Sequence, residues 1–279
     1  MSTPPGDTAS PAIAADPFSA FKARQRDGWS HFGPLALFTT QSAARLVRFA
    51  GVHAGQRVLD VGSGTGVVAV TAARLGARVT GSDLTPALLE QAKQNSAIAE
   101  VDVDWREADA EALPLADGAF DVVLSQFGHM FAPRPEVATA EMLRVLRPGG
   151  TLAFSTWPPD HFVARMFALV ARYAPPPPPG AVSPVLWGEP TVVRERLGDA
   201  VRDLVFERDM LTFNALSPQH VRHFTEHTAG PVIQLVQALS ASSPARLAEF
   251  RREYDVLAEP YFELNTLRQS YLMTRAVKA

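Results

Sequence analysis

The nine residues Val58-Leu59-Asp60-Val61-Gly62-Ser63-Gly64-Thr65-Gly66 leave this 279-residue chain few options. An apolar run stops there in a glycine-rich turn and resumes as Val67-Val68-Ala69-Val70. A short β-branched run that stays apolar throughout marks a parallel strand covered on both faces. Glycines at alternate positions let the backbone turn sharply and approach a ligand with no Cβ in the way. Where such a loop hands over to a helix, free N–H groups and the positive end of the helix dipole point into the crevice above the strand. The stretch predicts a strand, a tight loop and a helix built to hold something, with an anionic group well suited.

Spacing narrows the ligand. The glycines fall as G-x-G-x-G, whereas dinucleotide crossovers carry G-x-G-x-x-G. No Lys-Ser or Lys-Thr follows, which removes a P-loop. A nicotinamide-dependent reductase shares the same strand and loop logic and stands as a second reading opposed by the spacing. Ala77 to Asp83 reads as the next strand, ending in an acid 17 residues beyond Gly66. A carboxylate at that point accepts both hydroxyls of a ribose. The plainer alternative for Asp83 is a helix cap.

Asp60 through Gly66, followed by the strand ending in Asp83, resembles the first two motifs of the class I S-adenosylmethionine-dependent methyltransferases. Arg106 through Pro114 is similar to that family's adenine-contacting turn, Phe120 to Ser125 to its fourth strand, and Arg144 to Leu152 to its fifth-strand entrance. The match is close over roughly residues 20 to 157, and beyond that similar only in plan to small-molecule members of the quinone-biosynthesis-like type. The resemblance implies an α/β fold: a Rossmann-like, doubly wound, mostly parallel sheet of seven strands with an antiparallel last strand, plus helical cap insertions. It implies S-adenosyl-L-methionine as cofactor and methyl transfer to a small, partly apolar acceptor at oxygen, carbon or nitrogen. It assigns Asp60, Gly62, Ser63, Gly64, Thr65 and Gly66 to the methionine end of the cofactor and Asp83 to the ribose. Asp109, the Ala110 N–H and Leu84 fall to the adenine, with Asp109 otherwise a solvated loop acid. Gln126 and Phe127, at the end of the fourth strand, line the cofactor or acceptor pocket.

Composition bounds the alternatives. A formal charge of −3 without a basic stripe argues against a nucleic-acid partner. The lack of cysteine excludes disulfide scaffolds, thiolate zinc sites and thiol nucleophiles. No apolar run reaches the ~18 residues of a membrane span, and the first residues lack a signal-peptide pattern, so the reading is a cytoplasmic protein. A homodimer is left open. Residues 1–17 have the composition of a disordered tail. Residues 18–157 read as N-terminal helices plus the cofactor-binding core, 158–200 as a cap insertion with a five-proline spacer, Pro175 to Pro179, and 201–279 as the final strands with a helical cap segment.

Displacement at a methyl group activated by positive sulfur needs alignment more than a base. A phenol or enol acceptor still gains from proton removal near neutral pH. The candidates are His31, His129 and His161, with His129 just past the fourth strand, where ligands of open parallel sheets bind. A buried structural role is the competing reading for it. Trp29, His31, Phe32, His129 and Trp157 are expected to wall the acceptor pocket, although aromatics at such spacing also serve as core. No metal is expected, because His220, His223 and His227 read as a solvated helix face. A non-catalytic, cofactor-binding regulatory protein is the alternative function.

Overall fold

The computed structural model describes residues 16–279, so most of the expected tail lies outside the described residues; Asp16 and Pro17 do not. In chain order the elements are α1 (Ser19–Trp29), α2 (Ala36–Phe49), β1 (Arg57–Val61), α3 (Val67–Arg74), β2 (Arg78–Asp83), α4 (Pro86–Ile98) and β3 (Val103–Glu107). There follow β4 (Phe120–Gln126), α5 (Pro135–Val145), β5 (Leu146–Thr156), α6 (Phe162–Tyr173), α7 (Pro190–Leu197) and β6 (Val201–Asn214). The chain closes with α8 (Pro218–Thr228), α9 (Gly230–Ser242), α10 (Pro244–Ala258), β7 (Phe262–Glu263) and β8 (Thr266–Lys278).

The sheet runs β3-β2-β1-β4-β5-β8-β6. The β1 pairs with β2 and β4, and the β2–β3 and β4–β5 pairs, are parallel, while β8 is antiparallel to both β5 and β6. This is the Rossmann-like order with the antiparallel strand inserted next to last, and the two-residue β7 adds a short pairing to β8. Alternating side chains build two cores, one per face, as a pleated strand requires. Val58, Val122, Leu124 and Ala153 pack with α2 and α3, while Leu59, Val123, Leu152 and Phe154 pack on the opposite face. That second core runs on without a break into the cap, through Phe162, Met166 and Val232 to Phe250 and Tyr254.

Arg147-Pro148-Gly149-Gly150 lies within β5, whose pairing with β4 shifts register between Phe120 and Val122. The helical cap segment ends at Ala258, because Pro260 sits in a 3-10 turn and Phe262–Glu263 pairs with β8. One outcome differs from the sequence reading. Residues 158–200 divide rather than form one insertion. Helix α6 packs with α9 and α10 in the cap, whereas α7 returns to the sheet flank against α5 and β6. The proline run joins the two halves, and Val182, just beyond it, donates its N–H to the Pro133 carbonyl at 3.0 Å.

Helix α1 is the other arm of the cap. Its glycine lets it cross α9 closely: a Cβ on Gly28 would stand 3.1 Å from the Gly230 Cα. Gln234 of α9 donates to the Arg24 carbonyl at 2.6 Å, which ties the crossing.

Candidate active site

The three loop glycines all adopt positive φ, at 65° for Gly62, 54° for Gly64 and 86° for Gly66, but serve different ends. A Cβ on Gly66 would lie 2.6 Å from the Trp105 ring, so this glycine seats α3 beside β3. A Cβ on Gly62 would lie 2.8 Å from the Gly128 Cα, where the first loop meets the loop after β4. Only Gly64 opens onto free space, with Phe32 the nearest side chain at 3.9 Å. The loop thus presents one bare backbone face to the crevice.

Asp60 points from β1 under the start of α3. One carboxylate oxygen accepts the Ala69 N–H at 3.1 Å and the other has no partner among the described residues. Burial in this apolar surround pushes its pKa up to about 8, and the nearby Asp83 carboxylate adds to the rise. Asp83 ends β2 at the crevice. Its two oxygens accept the Gly64 and Thr85 N–H groups, each at 2.8 Å. Burial raises the Asp83 pKa against those bonds. Each oxygen keeps a second lone pair, so the carboxylate both shapes the glycine loop and faces the cavity with acceptors to spare.

One cavity joins this crevice to the cap. Gly62, Gly64, Asp83, Leu84, Asp109, Ala110, Gln126 and Phe127 line it, as do Trp29, Phe32 and Trp157. The remaining expected residues fall elsewhere. Asp60, Ser63, Thr65 and Gly66 lie behind the lining, and the buried Ser63 and Thr65 hydroxyls have no partner among the described residues.

Neither His31 nor His129 reaches the cavity. His31 is exposed on the outer side of the α1 terminus, beside Ser30. His129 is wholly buried, its ring 4.6 Å from that of Phe154 and 4.7 Å from that of Trp187. Burial first, then the positive charge of Arg196, pushes its pKa down to about 3. The 3-10 turn after β4 directs its side chain into the core instead of the crevice, which takes away the geometry a general base requires. His161 packs against β8, its Nδ1 accepting the Ser270 N–H at 3.0 Å, and also lies off the cavity. His220, His223 and His227 are exposed on α8, whereas Glu226 turns inward to Arg222 and Arg251.

The sequence reading missed Lys22. Its ammonium lies 2.6 Å from each of Asp16, Asp109 and Glu111, and Arg134 closes the cluster on Glu111 at 2.6 Å. These are the three carboxylates among the described residues close enough to share a metal ion, but Lys22 already occupies the space between them. Burial alone would lower the Lys22 pKa; the hydrogen bonds it donates to Asp109, Asp16 and Glu111 outweigh that and hold it above the ordinary range. A lysine within an otherwise polar helix reads as solvated, so the sequence carried no signal for it. Asp109 is held by Lys22 and by the Glu111 N–H at 2.9 Å, which fixes the turn it was expected to offer to adenine. Gly128, Phe131, Phe213 and Gln269 also line the cavity; Gly128 had a signal in its place directly after Phe127, and Gln269 on β8 had none.

The acceptor side is aromatic. Phe127 and Trp157 stack with ring centroids 3.8 Å apart, Phe38 and Phe213 stack at 4.0 Å, and Trp29 and Phe131 meet at 4.7 Å. Phe127 holds φ of 59° without being glycine, fixed by its N–H bond to the Ser155 carbonyl at 3.0 Å. Such backbone costs about 1–3 kcal/mol and persists where the surroundings impose it.

With this crevice, sheet order and loop, the chain carries a class I S-adenosylmethionine-dependent methyltransferase domain. A methyltransferase-domain family model matches residues 59–154. An uncharacterized protein of Mycobacterium tuberculosis is 38% identical over 84% of this chain and 85% of its own length. The demethylmenaquinone methyltransferase of Tropheryma whipplei is 35% identical over 58% of this chain and 65% of its own. Among solved structures, a putative methyltransferase from Bacillus halodurans shares the fold at a TM-score of 0.56 and 20% identity, covering 85% of this chain and 99% of that one.

Proposed function

We propose that the protein binds S-adenosyl-L-methionine above the carboxyl ends of β1 and β2 and transfers its methyl group to a small, partly apolar acceptor held under the cap. The observation that carries this reading is a continuous cavity with two unlike halves. One half offers the bare Gly64 backbone, the spare lone pairs of Asp83 and the turn at Asp109 and Ala110; the other is walled by stacked aromatic rings. The donor set fits an adenosyl ligand. Asp83 would accept the ribose hydroxyls, the Asp109 turn and Leu84 would hold the adenine, and the Gly62–Gly64 backbone would meet the amino-acid end. The Ser63 and Thr65 hydroxyls, within that loop, have no partner among the described residues.

When bound, the cofactor supplies a methyl group made electrophilic by positive sulfur. The chain's own part is to orient the acceptor, exclude water and leave room for in-line attack. Trp29, Phe127, Phe131 and Trp157 hold an apolar acceptor by its faces. Among the described lining residues the titratable groups are Lys22, Asp83 and Asp109, clustered at the donor end and already hydrogen-bonded. Acceleration then comes from alignment, which is capable of supplying about 7–11 kcal/mol. The test is production of S-adenosylhomocysteine from S-adenosylmethionine across a panel of neutral aromatic and aliphatic acceptors. Formation with any acceptor supports transfer; tight cofactor binding with no product from any acceptor supports the regulatory alternative.

A further inference from the structure

Resting on the reading of this cavity as the acceptor site, we propose that the acceptor is an uncharged, planar conjugated ring with a hydroxyl-like polar edge, and that the carboxamide of Gln269 reads that edge. The argument starts from the charges. Lys22, Asp83 and Asp109 are the charged side chains on the described lining, and each is engaged: Lys22 with three carboxylates, Asp109 with Lys22, Asp83 with two backbone N–H groups. An acceptor bearing a carboxylate or an ammonium would enter an aromatic chamber with no free counter-charge, and a buried unpaired charge is strongly disfavoured.

Among the three carboxamides of the lining, two are engaged in the same way and one is not. Gln25 donates to the Phe131 carbonyl at 3.0 Å, and Gln126 donates to the Thr39 carbonyl at 3.0 Å and to the Ser42 hydroxyl. Thr39 donates to the Ala36 carbonyl, and Thr225 donates to the Val221 carbonyl while accepting from Tyr254. Gln269 is half-buried on β8 opposite Leu211, which also lines the cavity, and its carboxamide makes no hydrogen bond to another described group. It offers a donor and an acceptor at once, the complement of a hydroxyl or carbonyl rather than of an ion. Position adds to this: β8 is the antiparallel strand between β5 and β6, so Gln269 looks into the chamber from the end remote from the glycine loop. The flat, stacked walls at Phe127 and Trp157 set the shape, and Gln269 sets the polar end.

Four probes that share the naphthalene ring test this: 2-naphthol, naphthalene, 2-naphthoate and 2-naphthylmethylammonium, with dissociation constants measured by ligand-detected NMR with and without S-adenosylhomocysteine. The expected result is that 2-naphthol binds about tenfold tighter than the other three. Gln269→Leu should bring 2-naphthol to the affinity of naphthalene while leaving naphthalene within about twofold. Gln269→Glu should raise affinity for the ammonium probe about tenfold. A charged probe binding wild type as tightly as 2-naphthol, a Gln269→Leu variant that keeps the tenfold preference, or no binding by any of the four overturns the proposal. Failure of S-adenosylhomocysteine to bind speaks against methyl transfer instead, and leaves the comparison among the four probes standing.

Discussion

Two buried titratable residues flank the loop and the strand end, and they act on stability with opposite signs. Asp60 holds its proton to about pH 8 in the fold, whereas its ordinary value is 3.8. Between about pH 4 and 8 the folded state therefore carries a proton that the unfolded chain has released, and stability falls as pH rises through that window. Asp60→Asn should flatten this slope in thermal melts recorded across it, while keeping the acceptor for the Ala69 N–H. His129 stays neutral down to about pH 3 in the fold, while the unfolded side chain takes a proton below 6.5. Its contribution is thus lost as pH falls from about 6.5 to 3. His129→Leu should remove that acid-side loss and keep kcat within about threefold, because the ring does not touch the cavity; a drop of 10²-fold or more would restore it as a base. At this scale the sequence spoke clearly for Gly62, Gly64 and Asp83, where turn chemistry and strand ends dictate residue type. It misplaced His129, because position in the chain beyond β4 does not tell which way a side chain in a 3-10 turn points.

Among the elements, α1 is held at two points of different character. Near its C-terminus it crosses α9 at Gly28 and Gly230, a packing contact; near its N-terminus Lys22 clamps it to the turn at Asp109 and Glu111, an ionic one. That second contact lies on the cavity wall, so its loss would loosen α1 beside the proposed nucleoside site. Lys22→Met leaves three carboxylates facing one another with Arg134, among the described residues, to offset them. We expect α1 amides to exchange at least tenfold faster in hydrogen-exchange measurements, S-adenosylhomocysteine to dissociate faster, and amides of β1 and β4 to be unchanged. Uniform loss of protection would mean that Lys22 stabilises the whole fold rather than the lid. The order of strands and helices up to β5 was legible because each element carries its own period and punctuation. The split of residues 158–200 was not, since the amphipathic patterns of α6 and α7 say that each has a partner but not which one.

Taken whole, the molecule is a sheet that shapes one half of the cavity and a cap that shapes the other. Strand β8 belongs to both: its pairing with β5 completes the sheet, and Gln269 and Leu267 extend the same strand toward the cap. The half of the cavity proposed for the donor was legible in the sequence because a bare backbone face demands glycine and a ribose would demand a carboxylate at a strand end. The acceptor half was legible only in part, because its wall gathers side chains from α1, α2, α6, β6 and β8, which the chain brings together only on folding. The central claim, an adenosyl ligand anchored on Asp83 beside the glycine loop, is tested most directly by calorimetric titration of S-adenosylmethionine into wild type and Asp83→Asn. The account predicts saturable one-to-one binding to wild type, weakened about tenfold or more in the variant, as loss of charge-assisted hydrogen bonds requires. No heat of binding to wild type, or equal affinity for both proteins, would contradict it.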